Sequence, residues 1–414
     1  MTRRRITAIS MLAVITAGAA GGAAQNWQQW RGPERNGTVA SFTAPQSWPD
    51  QLKQQWKVEV GLGYATPLLV GDRIYLFSRQ GENEVMSALD AGTGKVLWQT
   101  GYPVSFTMNS AASRHGPGPK STPIFSNGKL FAIGMIGTVT AFDSTTGRIL
   151  WQKPGSAELM PRYTSHAFSP LVEGGLVIFH VGGHDRGALT AYDVNTGDVK
   201  WSWGGDGPGY GSPLVVELGG TRQIVTVTQG KLVGVNVATG ALLWEFPFES
   251  TNFTNALTPV RFQQSFIISN NTRPTMAVTV TKRDNQWLPQ VVWENSDVQM
   301  RMTNGVILGD TFFGLSVRNS GQYVSLDAKT GKALWTSEPR QALNVSLLKA
   351  GDLVFSLEDD GELVVFRPGR PGQAAFEPLR RYKVADTDTW TQPVISGNKI
   401  LVKDVSSLAL WTLD

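Results

Sequence analysis

The sequence predicts an all-β protein: an eight-bladed β-propeller of four-stranded antiparallel blades, its ring closed by an N-terminal strand that completes the last blade. Three observations carry this prediction. The signature Asp-x-x-Thr-Gly-x-x-x-Trp occurs at residues 90–98, 143–151, 193–201 and 327–335, and with Asn for Asp at 236–244. Self-similarity at such a period marks a stacked or closed array of like units. Eight aromatic residues (Trp56, Trp98, Trp151, Trp201, Trp244, Trp293, Trp335 and Tyr382) follow one another at intervals of 42 to 53 residues, one per outermost strand. Gly (45 residues) and Trp (14) are abundant while charged residues make up only 17%, a turn-rich profile that is neither helical nor disordered.

Taken in chain order, residues 1–24 read as a secretory signal. Arg3, Arg4 and Arg5 form a charged start, an apolar stretch follows, and Gly22, Ala23 and Ala24 offer a small-residue cleavage site. The apolar stretch is too short for a membrane span, which needs roughly 20 residues. An exported protein, periplasmic or extracellular, is therefore expected, with no transmembrane segment. Residues 25–51 form an N-terminal arm, and 52–414 the propeller. Within the arm, Trp30-Arg31-Gly32-Pro33 is expected to pack against the ring or to cap its channel.

Each unit then reads as strand, turn, strand, turn. Thr66-Pro67, Thr122-Pro123, Ser169-Pro170, Ser212-Pro213, Thr258-Pro259 and Gln392-Pro393 open the first strands. The signature supplies the hairpin between the third and fourth strands. In it Asp90, Asp143, Asp193 and Asp327 bond the turn backbone. Gly94, Gly147, Gly197, Gly240 and Gly331 supply positive φ. Trp98, Trp151, Trp201, Trp244 and Trp335 fill apolar sites between sheets, each stabilising by roughly 2–3 kcal/mol if fully buried. The last unit has only three strands, and the segment around Trp56 is an orphan strand. Pairing the two closes the ring without exposed edges. The hairpins of the fifth, seventh and eighth units depart from the signature, which leaves seven blades as the alternative.

Charge excludes some partners. The formal +4 includes three arginines of the leader, and without them the balance is 34 basic against 33 acidic residues. No nucleic-acid or anionic-lipid partner is expected. The absence of cysteine removes disulfides, thiolate metal sites, lipidation at an N-terminal Cys and haem attachment through Cys-x-x-Cys-His.

At its hairpins, in Leu89-Asp90-Ala91-Gly92-Thr93-Gly94-Lys95-Val96-Leu97-Trp98 and its copies, the chain resembles the PQQ-like (pyrroloquinoline quinone) β-propeller repeat family. The resemblance runs from about Trp56 to the C-terminus, and Trp30-Arg31-Gly32-Pro33 is similar to a segment of exported members. That family includes quinone-dependent alcohol dehydrogenases, the outer-membrane assembly scaffold BamB and exported proteins of unassigned activity, the last being nearest. The resemblance implies the fold. It leaves the reaction open, because a shared fold does not transfer chemistry. The chain lacks the adjacent cysteine pair of the eight-bladed dehydrogenases, and no Glu, Asn and Asp set matches their calcium ligands. PQQ with calcium is thus a cofactor the resemblance suggests without a full ligand set.

Strand order puts the Asp-x-x-Thr-Gly turns on one face. The loops between blades, and between second and third strands, lie on the other, here the upper face, where variable residues gather around the channel mouth. Tyr64, Tyr163, Tyr210 and Trp390 each precede an inner strand and are candidates to stack a planar or sugar-like ligand; the competing reading is blade-top packing. Arg186, Arg273, Arg301 and Arg318 are candidates for an anionic group, against pairing with Glu358, Asp359, Asp360 or Asp404. His115, His166, His180 and His184 with Asp185 are the candidate metal ligands, against a shaped turn with satisfied histidines. Neither Lys120-Ser121 nor Ser165-His166 sits in a nucleophile elbow. The prolines of Gly116-Pro117-Gly118-Pro119 remove the donors a phosphate loop needs. The expected function is a monomeric, non-catalytic module that binds a protein partner or small ligand at the upper face. The alternatives are a PQQ-dependent dehydrogenase of alcohols or sugars, or a BamB-like assembly scaffold.

Overall fold

The computed structural model describes residues 26–161, 164–368 and 376–413. The leader and Tyr163 lie outside the described residues. The chain forms eight four-stranded antiparallel sheets arranged as a propeller. Blades 1 to 7 span residues 68–103, 124–153, 171–203, 214–247, 260–295, 306–336 and 345–383, with strands hydrogen-bonded in sequence order. Blade 8 takes three strands from residues 394–412 and its outermost from Lys53–Glu59. That closing strand pairs antiparallel with Ser407–Thr412, from Lys53 opposite Thr412 to Glu59 opposite Ser407. The count is eight, and the seven-bladed alternative falls.

The signature turn works as its residue types dictate. Asp90 Oδ1 accepts from the backbone N–H of Thr93 at 2.8 Å and from its hydroxyl at 2.7 Å. These bonds hold the Asp90 carboxyl below its ordinary value. Gly94 sits at φ +70°. Opposite each signature Trp the third strand carries a small residue: Ala88 faces Trp98, Ala141 faces Trp151, Ala191 faces Trp201, Gly234 faces Trp244 and Ser325 faces Trp335. A register shift beside each pair bends the outer hairpin.

The tryptophans do more than fill space between sheets. Five of them reach onto the turn of the following blade. The indole N–H of Trp98 donates to Ser144 O (3.2 Å), that of Trp151 to Val194 O (3.3 Å), that of Trp201 to Val237 O (2.9 Å) and that of Trp293 to Ala328 O (3.0 Å). Trp56 of the closing strand does the same to Ala91 O of blade 1. The turn glycine lies under the arriving ring. A Cβ on Gly197 would stand 2.7 Å from the Trp151 indole, and one on Gly331 would stand 2.3 Å from that of Trp293. Glycine is therefore required twice, for its φ and for its missing side chain. Where the next blade departs from the signature, the bond goes elsewhere. Trp244 donates to Gln223 Oε1 in its own blade, and Tyr382 of blade 7 donates to Pro49 O of the arm.

The arm enters the central channel from the lower face. Asn26 Oδ1 accepts from Gly71 N in a lower-face turn of blade 1, and Trp27 bridges Leu69. Residues 28–37 loop into the channel, and the chain leaves along blade 7, where Val39 N donates to Lys349 O. Inside, Arg31 donates to Asn304 O and Gly305 O of the blade 5–6 crossing. Arg35 donates to Ser169 O, Pro170 O and Pro213 O of blades 3 and 4. Both guanidiniums are buried and bonded chiefly to carbonyls, and burial lowers each to about 9. The segment 30–33 is thus a plug within the channel.

Candidate functional site

Each loop that crosses between blades drops into an inner strand at the upper face. In blades 1 to 6 a small polar side chain sits two residues before that strand, and these residues form a belt. Thr66 N donates to Thr122 Oγ1, Thr122 N to Ser169 Oγ, Ser169 N to Ser212 Oγ, Ser212 N to Thr258 Oγ1 and Thr258 N to Asn304 Oδ1, at 2.7 to 3.2 Å. Trp30 joins it from below, donating its indole N–H to Thr258 Oγ1 at 3.0 Å. The belt fixes the tops of blades 1 to 6 relative to one another. Two residues further upstream, the same register presents Tyr64, Lys120, Tyr210, Met302 and Trp390 to the channel mouth.

These positions, with His115 and Arg301, surround a cavity of about 170 Å³ whose floor is Trp30 and Arg31 of the plug. The channel is therefore a blind pocket that opens at the upper face. Among the described residues its wall contains Arg31, Lys120 and Arg301 and no carboxylate.

The electrostatics follow from burial and this lack of counter-charge. Lys120 Nζ donates to Gly116 O (2.8 Å) and Gly118 O (2.5 Å) and lies 5.4 Å from the centre of the Tyr64 ring. Burial, then the charge of Lys403, lowers its ammonium to about 7. Burial also raises the Tyr64 phenol to about 12. His115 packs edge-on against Trp390, ring centres 4.8 Å apart. Burial and the charges of Lys120, Arg301 and Arg114 bring it down to about 4, so it is neutral at pH 7. On the rim Arg114 lies over Trp390 and pairs with Asp359 (3.5 Å) and Asp388 (3.4 Å). The Gly116–Pro119 loop has a structural reason. A Cβ on Gly118 would fall 2.2 Å from Leu62 O, so glycine lets this loop lie on its neighbour and turn two carbonyls toward Lys120.

A family model described as outer membrane protein assembly factor BamB, built on the PQQ-type repeat, matches residues 35–208, 81–314 and 289–410. The chain belongs to this family. BamB of Shewanella oneidensis is 26% identical over 257 residues, covering 58% of this chain and 61% of that one. The dehydrogenase subunit of alcohol dehydrogenase (quinone) from Komagataeibacter europaeus is 30% identical over 161 residues, covering 36% of this chain and 21% of the subunit. The alignments thus span less than two thirds of either relative. A europium-containing methanol dehydrogenase superposes with a TM-score of 0.66 at 13% identity, covering 93% of this chain and 98% of that one, which shows a shared fold.

The resemblance to PQQ-repeat propellers suggests quinone and calcium as the groups this pocket would have to hold. Planar aromatic and cationic groups are present. A divalent cation and a substrate base both call for carboxylates, and the pocket wall presents none among the described residues. The residues do not fit that pair.

Of the sequence-predicted positions, Tyr64, Tyr210, Trp390, Arg301 and His115 converge on the pocket. Arg186, Arg273 and Arg318 are exposed in upper-face turns away from its wall. Arg318 donates to Ser296 O, and no ion pair joins any of the three to Glu358, Asp359, Asp360 or Asp404 among the described residues. The histidines divide. His166, His180 and His184 are buried together near the tops of blades 2 and 3, while His115 stands apart at the mouth. His180 Nε2 lies 3.1 Å from Asp206 O, and His184 packs against Tyr210 and Phe253. Asp185 is exposed. The described residues whose ligand atoms gather within 4.8 Å are instead Glu358, Asp360 and Glu362, two of which Arg381 already binds. Sequence reasoning set Lys120 aside, and it expected Trp30-Arg31 to pack against the ring or cap its channel without placing them in the site. The signal for Lys120 was its register, two residues before Thr122-Pro123, shared with Tyr64 and Trp390.

Proposed function

We propose that the protein is an exported, non-catalytic binding propeller whose upper-face pocket takes a small anionic ligand with an aromatic or apolar body. The observation that carries this reading is the blind pocket itself, with three cationic side chains, three aromatic rings from the mouth and no carboxylate among its described lining. An anion gains charge-assisted bonds there, and a flat body gains ring contacts. The leader-like residues 1–24 support export, and the relatives named for outer membrane assembly support the periplasm.

Calorimetry on the mature protein tests it. Benzoate is expected to bind, benzamide more than about ten-fold more weakly, and R301Q to lose about ten-fold in benzoate affinity. Equal affinity for benzoate and benzamide would sink the reading. Added PQQ with calcium is expected to give no alcohol-dependent dye reduction, and turnover would overturn the non-catalytic part.

A second reading, an assembly scaffold like BamB, is favoured by the family model and by the Shewanella relative. It predicts that the tagged protein recovers outer-membrane assembly components from envelope extract. Recovery of none would count against it.

A further inference from the structure

We propose that Lys120 captures a carbonyl compound covalently, as a reversible imine, inside the upper-face pocket. The inference rests on the reading of that pocket as a small-ligand site and adds the class of ligand: an aldehyde or ketone that also bears a carboxylate.

Two neighbouring lysines make the argument by contrast. Lys403 is fully buried, and its Nζ donates to Gly61 O, Gly63 O, Asp404 O and Val405 O at 2.7 to 3.2 Å. All its donors are occupied and it lines no part of the pocket, so it is a structural ammonium. Lys120 lines the pocket and meets only two carbonyls, Gly116 O and Gly118 O. A neutral amine has two N–H groups and one lone pair. With both N–H groups taken by those carbonyls, the lone pair is directed away from them. The missing carboxylate and the charge of Lys403 disfavour the ammonium, and burial brings Lys120 to about 7, so the neutral amine is well populated at physiological pH.

The step is balanced without an oxidant. The Nζ lone pair attacks the carbonyl carbon, forming C–N while the C=O π pair moves to oxygen, which takes a proton. Nitrogen loses one proton to give the carbinolamine, whose hydroxyl takes a proton from solvent and leaves as water as C=N forms, and nitrogen then returns its second proton to solvent. The sum is amine plus carbonyl giving imine plus water. Arg301 on the same wall supplies the partner for the ligand's carboxylate, and Tyr64 and Trp390 flank its body.

The test treats the mature protein with 4-formylbenzoate and cyanoborohydride at pH 7 and reads labelled lysines by peptide mass spectrometry. Lys120 is expected to label at least ten-fold faster than exposed Lys95 and Lys329, and faster with 4-formylbenzoate than with benzaldehyde. Its rate should level off above pH about 7, whereas ordinary lysines keep gaining reactivity to far higher pH. K120R should remove the fast label. Labelling of Lys120 no faster than Lys95 in the unmutated protein overturns the proposal, whatever the variant does. Benzoate separates the two readings: if it binds while Lys120 stays unlabelled, only the imine fails. If benzoate does not bind and no label forms, the pocket reading fails with it.

Discussion

At the scale of single residues, buried titratable groups set how the protein responds to acid. Burial lowers His166 from 6.5 to about 3 and His180 to about 4. Between pH 6.5 and 4 the unfolded chain therefore binds two protons that the folded chain refuses. The stability these groups contribute is complete above 6.5 and is lost as pH falls through that window. Two protons correspond to a slope of about 3 kcal/mol per pH unit. Glu358, raised to about 6, and Glu84, also raised, act in the opposite sense, so a difference measurement is the clean one. Urea unfolding of H166Q and the unmutated protein from pH 7 to 4.5 should show the variant's slope smaller by about one proton; identical slopes would refute the account. Tyr64, Tyr210 and Trp390 were legible because an aromatic ahead of a proline-marked strand start is a position, not merely a composition. Arg31 and Arg35 were illegible as buried groups, since charged side chains in a Gly-Pro segment read as surface. Only the ring of carbonyls around them, which no sequence prints, gives them an interior place.

At the scale of elements, the repeat proves to be a relay between blades. Asp, Thr and Gly shape one blade's turn, and the Trp of the preceding blade closes on it. The repeat motif shows both parts in each unit but not that they act on different partners. The prediction compares two glycines of blade 3, both at positive φ. Gly174, at φ +56°, has open space where a Cβ would stand, with no atom within 4 Å, so G174A should cost only the backbone strain, about 1 kcal/mol. Gly197, at φ +72°, lies under Trp151, so G197A adds displacement of the indole and loss of its bond to Val194 O, about 3 kcal/mol in all. Denaturant midpoints giving equal losses for the two variants would show that the relay contributes nothing. Blade 5 shows why the departures were hard to read. A two-residue turn at Asp284 and Asn285, φ +50° and +63°, replaces the signature and lengthens its strands to nine and ten residues. Trp244 then turns inward to Gln223.

For the whole molecule, the closing strand was legible from one orphan strand and one incomplete blade. The plug was legible only as a segment that packs on the ring or caps its channel; its seat inside was not, because its partners are strand-start carbonyls scattered over blades 3 to 6. Removing residues 26–37 should leave the eight sheets in place yet open the pocket floor, since Trp30 and Arg31 go with them. The expected result is an unchanged far-ultraviolet spectrum with benzoate affinity reduced at least ten-fold. Unchanged affinity would show that the plug does not build the site.

The closing strand also imposes an order in time. Gln55 meets Thr412 across 357 residues of chain, so the contact forms only after almost everything between them has folded. Joining ends that far apart costs about 5 kcal/mol in loop entropy. Until then the outer edge of the last blade stands unpaired and open to neighbours. Once joined, no blade can peel away without first breaking the seam. A ring of this kind is slow to make and slow to lose, and its persistence becomes a matter of rate rather than of equilibrium depth.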